Sequence, residues 1–306
     1  MSAPSETNRS EASVSNARGR GLIRLWLSLP IAVLAIAGSA AGILVDSIYS
    51  KETANWAAQG VGQDITNLIA YPALLLLALA AGRGSLRAYL AWMGVLAYSV
   101  YAYAIYAFAV HFGPLFLVDV AVFGLSIYTL GGGLLSLDTA RLKASFTSRT
   151  PVRSTSIVLV AIGALFYMLW LSEIIPATID GTMPQSLRDS GLATNPVYVL
   201  DMAVLLPAAL LTGVLLRNGR GWGYCLAPVL LVCFVVLAVG ILCAMAVLAV
   251  RGEAAAWGPA SAIGAMAVVQ LVVLSYFLRA VGHNADLRSV LRATSDSGWG
   301  RPRPAR

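Results

Sequence analysis

Residues 224–250 read YCLAPVLLVCFVVLAVGILCAMAVLAV, a run without a charged side chain. A helix needs about 20 mostly apolar residues to cross about 30 Å of hydrocarbon, so this run is long enough to span a bilayer. Seven further runs fit the same criterion, at residues 25–47, 65–82, 88–110, 115–137, 155–177, 197–217 and 259–280. The sequence therefore predicts an all-α, polytopic membrane bundle of eight transmembrane helices, with the lipid bilayer as its solvent.

The overall composition supports this fold class. Hydrophobic residues make up 58% of the 306 residues and charged residues only 11%, whereas soluble proteins carry about 25% charged residues. If the N-terminus is cytoplasmic, all but three of the 21 Lys and Arg residues fall in cytoplasmic segments; the exceptions are Lys51, Arg188 and Arg251. Short cytoplasmic loops are enriched in Lys and Arg. This pattern predicts two cytoplasmic termini in a multi-pass protein of the cell membrane, and the Ala- and Arg-rich usage suits a bacterial inner membrane. The net charge of +7 then reflects topology and does not indicate nucleic-acid binding.

The chain divides into two halves of four predicted spans each. The predicted units are a disordered cytoplasmic tail (1–22), a first half (23–138), a cytoplasmic linker (139–153), a second half (154–281) and a basic cytoplasmic tail (282–306). The segment YPALLLLALAAGRGSLRAY (71–89) aligns with LPAALLTGVLLRNGRGWGY (206–224), with proline and tyrosine at matching places and an arginine ten or eleven residues after the proline. Two parallel four-helix repeats, related by an axis along the membrane normal, would explain this similarity. Coincidence among apolar segments punctuated by Pro and Arg is the alternative.

Polar side chains within the predicted spans are the candidate functional residues. The stretch ETANWAAQGVGQDITNLIAYP (52–72) carries amides and a carboxylate at three- and four-residue intervals, and the third span is rich in tyrosine. A carboxylate facing lipid near a helix centre costs about 2.5–3.5 kcal/mol, so these groups are expected to face inward. The candidates for ligand or proton binding are Gln59, Gln63, Asp64, Asn67, Tyr98, Tyr103, Tyr106, His111, Asp119, Glu173 and Asp201.

Two interpretations of the acidic candidates remain open at this point. They can converge in one outward-opening polar vestibule, and no Lys or Arg lies within a span at this depth to pair with them. Alternatively, they are scattered helix caps and interface residues, because negative charge is favourable at a helix N-terminus. Capping accounts for Asp64 and partly for Asp201, but it does not account for Asp119 or for Glu173 near a helix C-terminus.

These features favour a carrier for a proton, cation or small polar solute, with an acidic site near the outer face. A non-catalytic sensor or assembly subunit is the alternative, followed by an outer-leaflet enzyme using His111 and one carboxylate. The sequence indicates no catalytic residue, metal, cofactor or oligomeric state. The strings WAAQGVGQD (56–64), YAIYAFAVHF (103–112) and NPVYVLDMAVLLP (195–207) resemble those of uncharacterised eight-span bacterial integral membrane proteins. This resemblance implies the fold and no activity.

Overall fold

The computed structural model describes residues 26–252, 257–282 and 285–292, and all regular structure in these ranges is helical. The eight longer helices are α1 (Ser28–Leu44), α2 (Ala54–Gly82), α3 (Leu86–Ala109), α4 (Phe116–Leu135), α5 (Val152–Ile179), α6 (Pro196–Arg217), α7 (Gly221–Val250) and α8 (Trp257–Arg279). Three short helices, Thr139–Ala144, Gln185–Ser190 and Leu287–Val290, lie in the remaining segments. The predicted tail at 1–22 and most of the tail at 282–306 lie outside the described residues.

Seven of these helices, α2 to α8, are long and apolar enough to cross a membrane, which fits a multi-pass integral membrane protein. Large apolar side chains such as Leu76, Met168 and Val268 are more than half exposed on the outward faces of the bundle. Such faces would be poorly solvated in water, but they match the hydrocarbon of a bilayer. Helix α1 has 17 described residues, about 26 Å at 1.5 Å per residue, and is therefore shorter than the hydrocarbon core.

Helix α2 begins 11 residues before the predicted start at residue 65. Its N-cap is Thr53, whose hydroxyl accepts a hydrogen bond from the Trp56 amide at 3.2 Å. The prediction was wrong because the first third of the helix is rich in small and polar residues, which carry little hydropathy signal. Asp64 thus lies ten residues inside the helix, and the interpretation of Asp64 as an N-terminal cap is also wrong.

Helices α3 and α7 form the centre of the bundle. In the most apolar window of α3, 72% of the residues are buried, compared with 17% for α5 at the periphery. Helix α1 packs on α2 and α4, while α3 packs on α2 and α4; in the second half, α6 packs on α5 and α7, while α8 packs on α7 and α5. Helix α7 also packs along both α2 and α3 and so joins the two halves.

The connections gather at two ends of the bundle. The acidic end comprises residues 45–53, 110–115 and 180–195, where the Lys51 ammonium donates to the Phe112 carbonyl at 3.2 Å and the Thr53 hydroxyl donates to the Asp189 carbonyl at 3.0 Å. The basic end comprises residues 83–85, 136–151 and 218–220. There the segment 285–292 crosses the other connections, with backbone bonds of 2.9 Å from Leu287 to Gly84 and from Asp138 to Val290.

Candidate functional site

The polar stripe on α2 faces two different sides of the bundle. Gln63 and Asp64 are adjacent, and successive residues of an α-helix point about 100° apart. The Gln63 side chain lies against Gly240 of α7, where an added Cβ would lie 2.9 Å from Oε1. The Asp64 carboxylate lies against Gly42 of α1, where an added Cβ would lie 2.0 Å from Oδ2. One glycine on each side therefore leaves space for the neighbouring polar side chain.

Asp64 is buried and accepts two hydrogen bonds from tyrosines. The Tyr49 hydroxyl donates to Oδ2 at 2.7 Å, and the Tyr106 hydroxyl donates to Oδ1 at 2.8 Å. Tyr49 lies in the connection between α1 and α2, where burial and the nearby Asp64 carboxylate raise the pKa of its phenol well above the usual range. Tyr49 therefore stays protonated and serves as a hydrogen-bond donor to Asp64.

A small cavity lies beside Asp64, with a volume of about 20 Å³. Asp64, Asp119, Ser39 and Tyr103 contribute to its wall, together with both tyrosines that donate to Asp64. A space needs roughly 10–15 Å³ of this kind to hold a water molecule, so the cavity has room for one. The structure thus brings Asp64 and Asp119 to the same cavity.

Deeper in the bundle, Asn67 and Tyr98 form a hydrogen-bonded network. The Tyr98 hydroxyl donates to Asn67 Oδ1 and accepts from the Gln63 amide, while Asn67 Nδ2 donates to the Ser39 hydroxyl at 2.9 Å. Tyr98 and Asn67 are fully buried. A buried phenol needs a hydrogen-bond partner. Tyr98 has two, the side-chain amides of Gln63 and Asn67, and neither is a carboxylate.

A larger cavity of about 510 Å³ lies between α2, α3 and the helices of the second half. Its wall runs from the acidic end, at Asn55 and Asp189, to Gln63 and Gln270 in the interior. Most of the wall is apolar and aromatic. Cavities that bind small molecules usually measure about 300–1,000 Å³ and are apolar with a few polar groups. This cavity has the size and composition of a small-molecule site.

Asp201 is the buried carboxylate of the larger cavity. It accepts hydrogen bonds from the Tyr101 hydroxyl at 2.9 Å and from the Trp170 indole at 2.8 Å. Asn195 caps the N-terminus of α6, so Asp201 has no capping role. Residues Asp201–Leu205 form a π-helical turn, a feature that is frequent at functional sites.

Gln270 of α8 is another buried polar residue in the wall of the larger cavity. Its side chain is 1% exposed, and its Oε1 has no hydrogen-bond partner among the described residues. An unpaired buried acceptor costs about 1–3 kcal/mol. Because Oε1 is itself shielded from solvent, the side chain would have to turn before this oxygen could accept a hydrogen bond from a ligand in the cavity.

The predicted candidates do not form a single site. Gln59, Gln63, Tyr106 and Asp201 line the larger cavity, while Asp64, Tyr103, Tyr106 and Asp119 line the smaller one, and Asn67 and Tyr98 lie in the network between α2 and α3. Sequence reasoning missed Tyr101, Trp170 and Gln270. Gln270 carried a signal, since it is an amide deep inside an apolar span.

Glu173 and His111 lie outside both cavities. Glu173 accepts hydrogen bonds from the Ser186 amide at 3.1 Å, the Ser186 hydroxyl at 2.7 Å and the Tyr198 hydroxyl at 2.6 Å. It thereby holds the short helix Gln185–Ser190 against α5 and α6. The exposed His111 ring lies 3.0 Å from the Glu52 carboxylate.

The donor sets offer no metal centre within the part of the chain that the structure describes, because no three His, Cys, Asp or Glu side chains cluster there. Comparison with protein-family models, curated protein sequences and solved structures found no match.

Proposed function

We propose that the protein is an eight-span carrier that binds a small organic cation in the larger cavity, with Asp201 as the counter-ion. The observation that carries this proposal is a buried carboxylate in a cavity of about 510 Å³, to whose wall the described residues contribute no Lys, Arg or His. An uncompensated carboxylate in a low-dielectric interior attracts a cation and repels an anion.

The walls near Asp201 suit an organic cation better than a metal ion. The ring centroids of Trp170 and Tyr198 lie 5.0 Å apart, and the aromatic side chains of Tyr101 and Phe166 also line the cavity. Aromatic faces attract ammonium groups by about 0.5–2 kcal/mol. Away from the carboxylate, the wall is largely apolar and matches a hydrocarbon body. The preferred ligand is therefore an ammonium compound with an apolar part.

The unpaired carbonyl oxygen of Gln270 narrows the ligand class further if the side chain turns this oxygen towards the cavity when a ligand binds. An acceptor needs a donor, and a primary ammonium group or a second amine supplies N–H groups. A quaternary ammonium ion has none, so it would leave Gln270 unpaired. We therefore place protonated amines ahead of quaternary ions as ligands.

The proposed topology follows from the charges and places the acidic end outside. Helix α1 then serves as the eighth span, both termini are cytoplasmic, and the protein resides in the cell membrane, in a bacterium the inner membrane. The helix neighbours support the proposed repeat, because α1 packs on α2 and α4 as α5 packs on α6 and α8. Each half also places a buried aspartate before a helix-internal proline, Asp64 before Pro72 and Asp201 before Pro207.

The test uses protein in nanodiscs and two probes of equal size, phenethylammonium and the uncharged 2-phenylethanol. A hydrogen bond to a charged group contributes about 1.5–3 kcal/mol, so Asp201→Asn should weaken phenethylammonium binding by about 10- to 100-fold. Binding of 2-phenylethanol should change little. Asp180→Asn is the matched control, since Asp180 is exposed at the acidic end and outside the cavity.

Equal weakening of both probes by Asp201→Asn would refute the counter-ion role. Counterflow in liposomes then separates carrier from sensor. Exchange of labelled phenethylammonium across the bilayer supports the carrier, whereas binding without exchange supports a sensor or assembly subunit.

A further inference from the structure

We propose that Asp119 and Asp64 form a proton-binding site, separate from the larger cavity, in which one proton resides on Asp119 and is shared with Asp64 through a water molecule. The inference goes beyond the proposed function, because it concerns different carboxylates and a different ligand.

The first observation is the cavity between the two carboxylates. Its volume of about 20 Å³ holds one water molecule. The polar groups of its wall are all oxygen-bearing side chains: Ser39, Tyr49, Asp64, Tyr103, Tyr106 and Asp119. The remaining wall is formed by Gly38, Ile48, Val110 and Leu115. One water can bridge two carboxyl groups, but a hydrated metal ion does not fit this space.

The second observation is that the two carboxylates are not equivalent. Each oxygen of Asp64 accepts a phenolic hydrogen bond, and such bonds favour the ionised form. Asp119 is 8% exposed, and no described side chain donates a hydrogen bond to it. It lies in the first turn of α4, where the helix N-terminus favours a negative charge by about 0.3–1 kcal/mol, less than the two hydrogen bonds to Asp64 contribute at about 1.5–3 kcal/mol each. An unpaired buried carboxylate is far more costly than a neutral carboxylic acid. A proton shared by the pair therefore resides on Asp119.

The surroundings offer no other charge to compensate the pair. The elements packed around Asp119 contribute Tyr49 from the connection, Asp64 from α2, and Tyr103 and Tyr106 from α3, while α1 contributes the uncharged Gly38 and Ser39. Among the residues that the structure describes, no Lys, Arg or His lines this cavity. Two carboxylates that share a site repel each other when both are ionised. One bound proton removes this repulsion and half of the buried charge.

Infrared spectroscopy of the full chain in nanodiscs tests the proposal directly. A protonated carboxylic acid that is shielded from bulk water gives a carbonyl stretching band distinct from that of a carboxylate. We expect one such band near neutral pH, its loss in Asp119→Asn, and its disappearance when the pH is raised with the protein still folded. Asp201→Asn, which alters the larger cavity, serves as the control for the Asp119 assignment and should keep the band.

Several results would overturn the proposal. One is the absence of the band from wild-type protein at every pH at which it is folded. Another is a band that survives Asp119→Asn but disappears in Asp64→Asn. A third is a band that sodium chloride abolishes at constant pH. The wild-type titration keeps the test decisive if Asp119→Asn fails to fold. Because no organic cation is present, the result is independent of the phenethylammonium experiment.

Discussion

Replacing Gly42 by alanine should destabilise the protein through a direct clash with Asp64. The added Cβ would lie 2.0 Å from Asp64 Oδ2, 2.9 Å from Cγ and 3.1 Å from the Tyr49 hydroxyl oxygen. Ordinary contacts between carbon and oxygen measure about 3.3–3.6 Å. The carboxylate would therefore have to move by more than about 1 Å, and it cannot do so without disturbing its hydrogen bond to Tyr49.

The expected loss of stability follows from the clash with Asp64 and from the disturbed hydrogen bond between Asp64 and Tyr49. Overfilling a packed interior costs about 1–3 kcal/mol, and weakening a hydrogen bond to a charged group costs about 1.5–3 kcal/mol. We expect Gly42→Ala to lower the free energy of unfolding by about 3 kcal/mol. Gly38 is the matched control, because an added Cβ there would meet only Val118 Cγ1, at an ordinary 3.4 Å. Gly38→Ala should change the free energy of unfolding by less than about 1 kcal/mol.

The assay is reversible unfolding in mixed micelles, with Gly42→Ala, Asp64→Ala and the double variant compared in a cycle. If the clash is with Asp64, the double variant should recover at least about 1.5 kcal/mol relative to the sum of the single effects. Additive effects would refute the explanation. Equal destabilisation by Gly38→Ala and Gly42→Ala would instead indicate that both glycines serve only close helix packing.

Two further predictions concern buried hydrogen bonds. Tyr98→Phe removes a hydroxyl that connects the amides of Gln63 and Asn67 and should cost about 1–3 kcal/mol in the same unfolding assay. Tyr128→Phe, at a side chain 80% exposed on the outward face of α4, should cost almost nothing, and equal effects of the two substitutions would contradict the network. Glu173→Gln weakens the hydrogen bonds that hold Ser186 and should raise amide hydrogen exchange in Gln185–Ser190 about tenfold. Unchanged exchange would show that the carboxylate does not hold this helix in place.

The helices could be predicted from the sequence because their signal is local. The sequence predicted eight spans from runs of about 20 apolar residues, and seven of them, α2 to α8, are confirmed as helices long and apolar enough to cross a membrane. The start of α2 could not be predicted from hydropathy, because residues 54–64 carry amides, glycines and alanines that face other helices and not lipid. Burial within a membrane protein does not require an apolar side chain, and a helix that is buried on several faces escapes a hydropathy rule.

The candidate site was less predictable, because its geometry depends on contacts between distant segments. The spacing of amides and carboxylate on α2 suggested one polar face. In the structure the adjacent residues Gln63 and Asp64 point about 100° apart, and they face different helices, Gln63 towards Gly240 of α7 and Asp64 towards Gly42 of α1. The donors to Asp201 come from positions 100 and 31 residues away. No spacing rule connects such positions.

The wall between the two cavities gives them a physical means of coupling. Tyr49, Tyr106 and Val110 line both cavities, so these three residues border both sites. Tyr106 donates to Asp64. If a cation in the larger cavity rotated the Tyr106 ring, Asp64 would lose one of the two hydrogen bonds that favour its ionised form. The same cation would repel a proton at the smaller cavity through the low-dielectric wall, so the ring rotation would favour proton binding and the repulsion would oppose it. Linkage requires that the net effect on proton binding be matched by an equal effect of the proton on cation binding. Exchange of cation for proton therefore requires the electrostatic repulsion to exceed the effect of ring rotation.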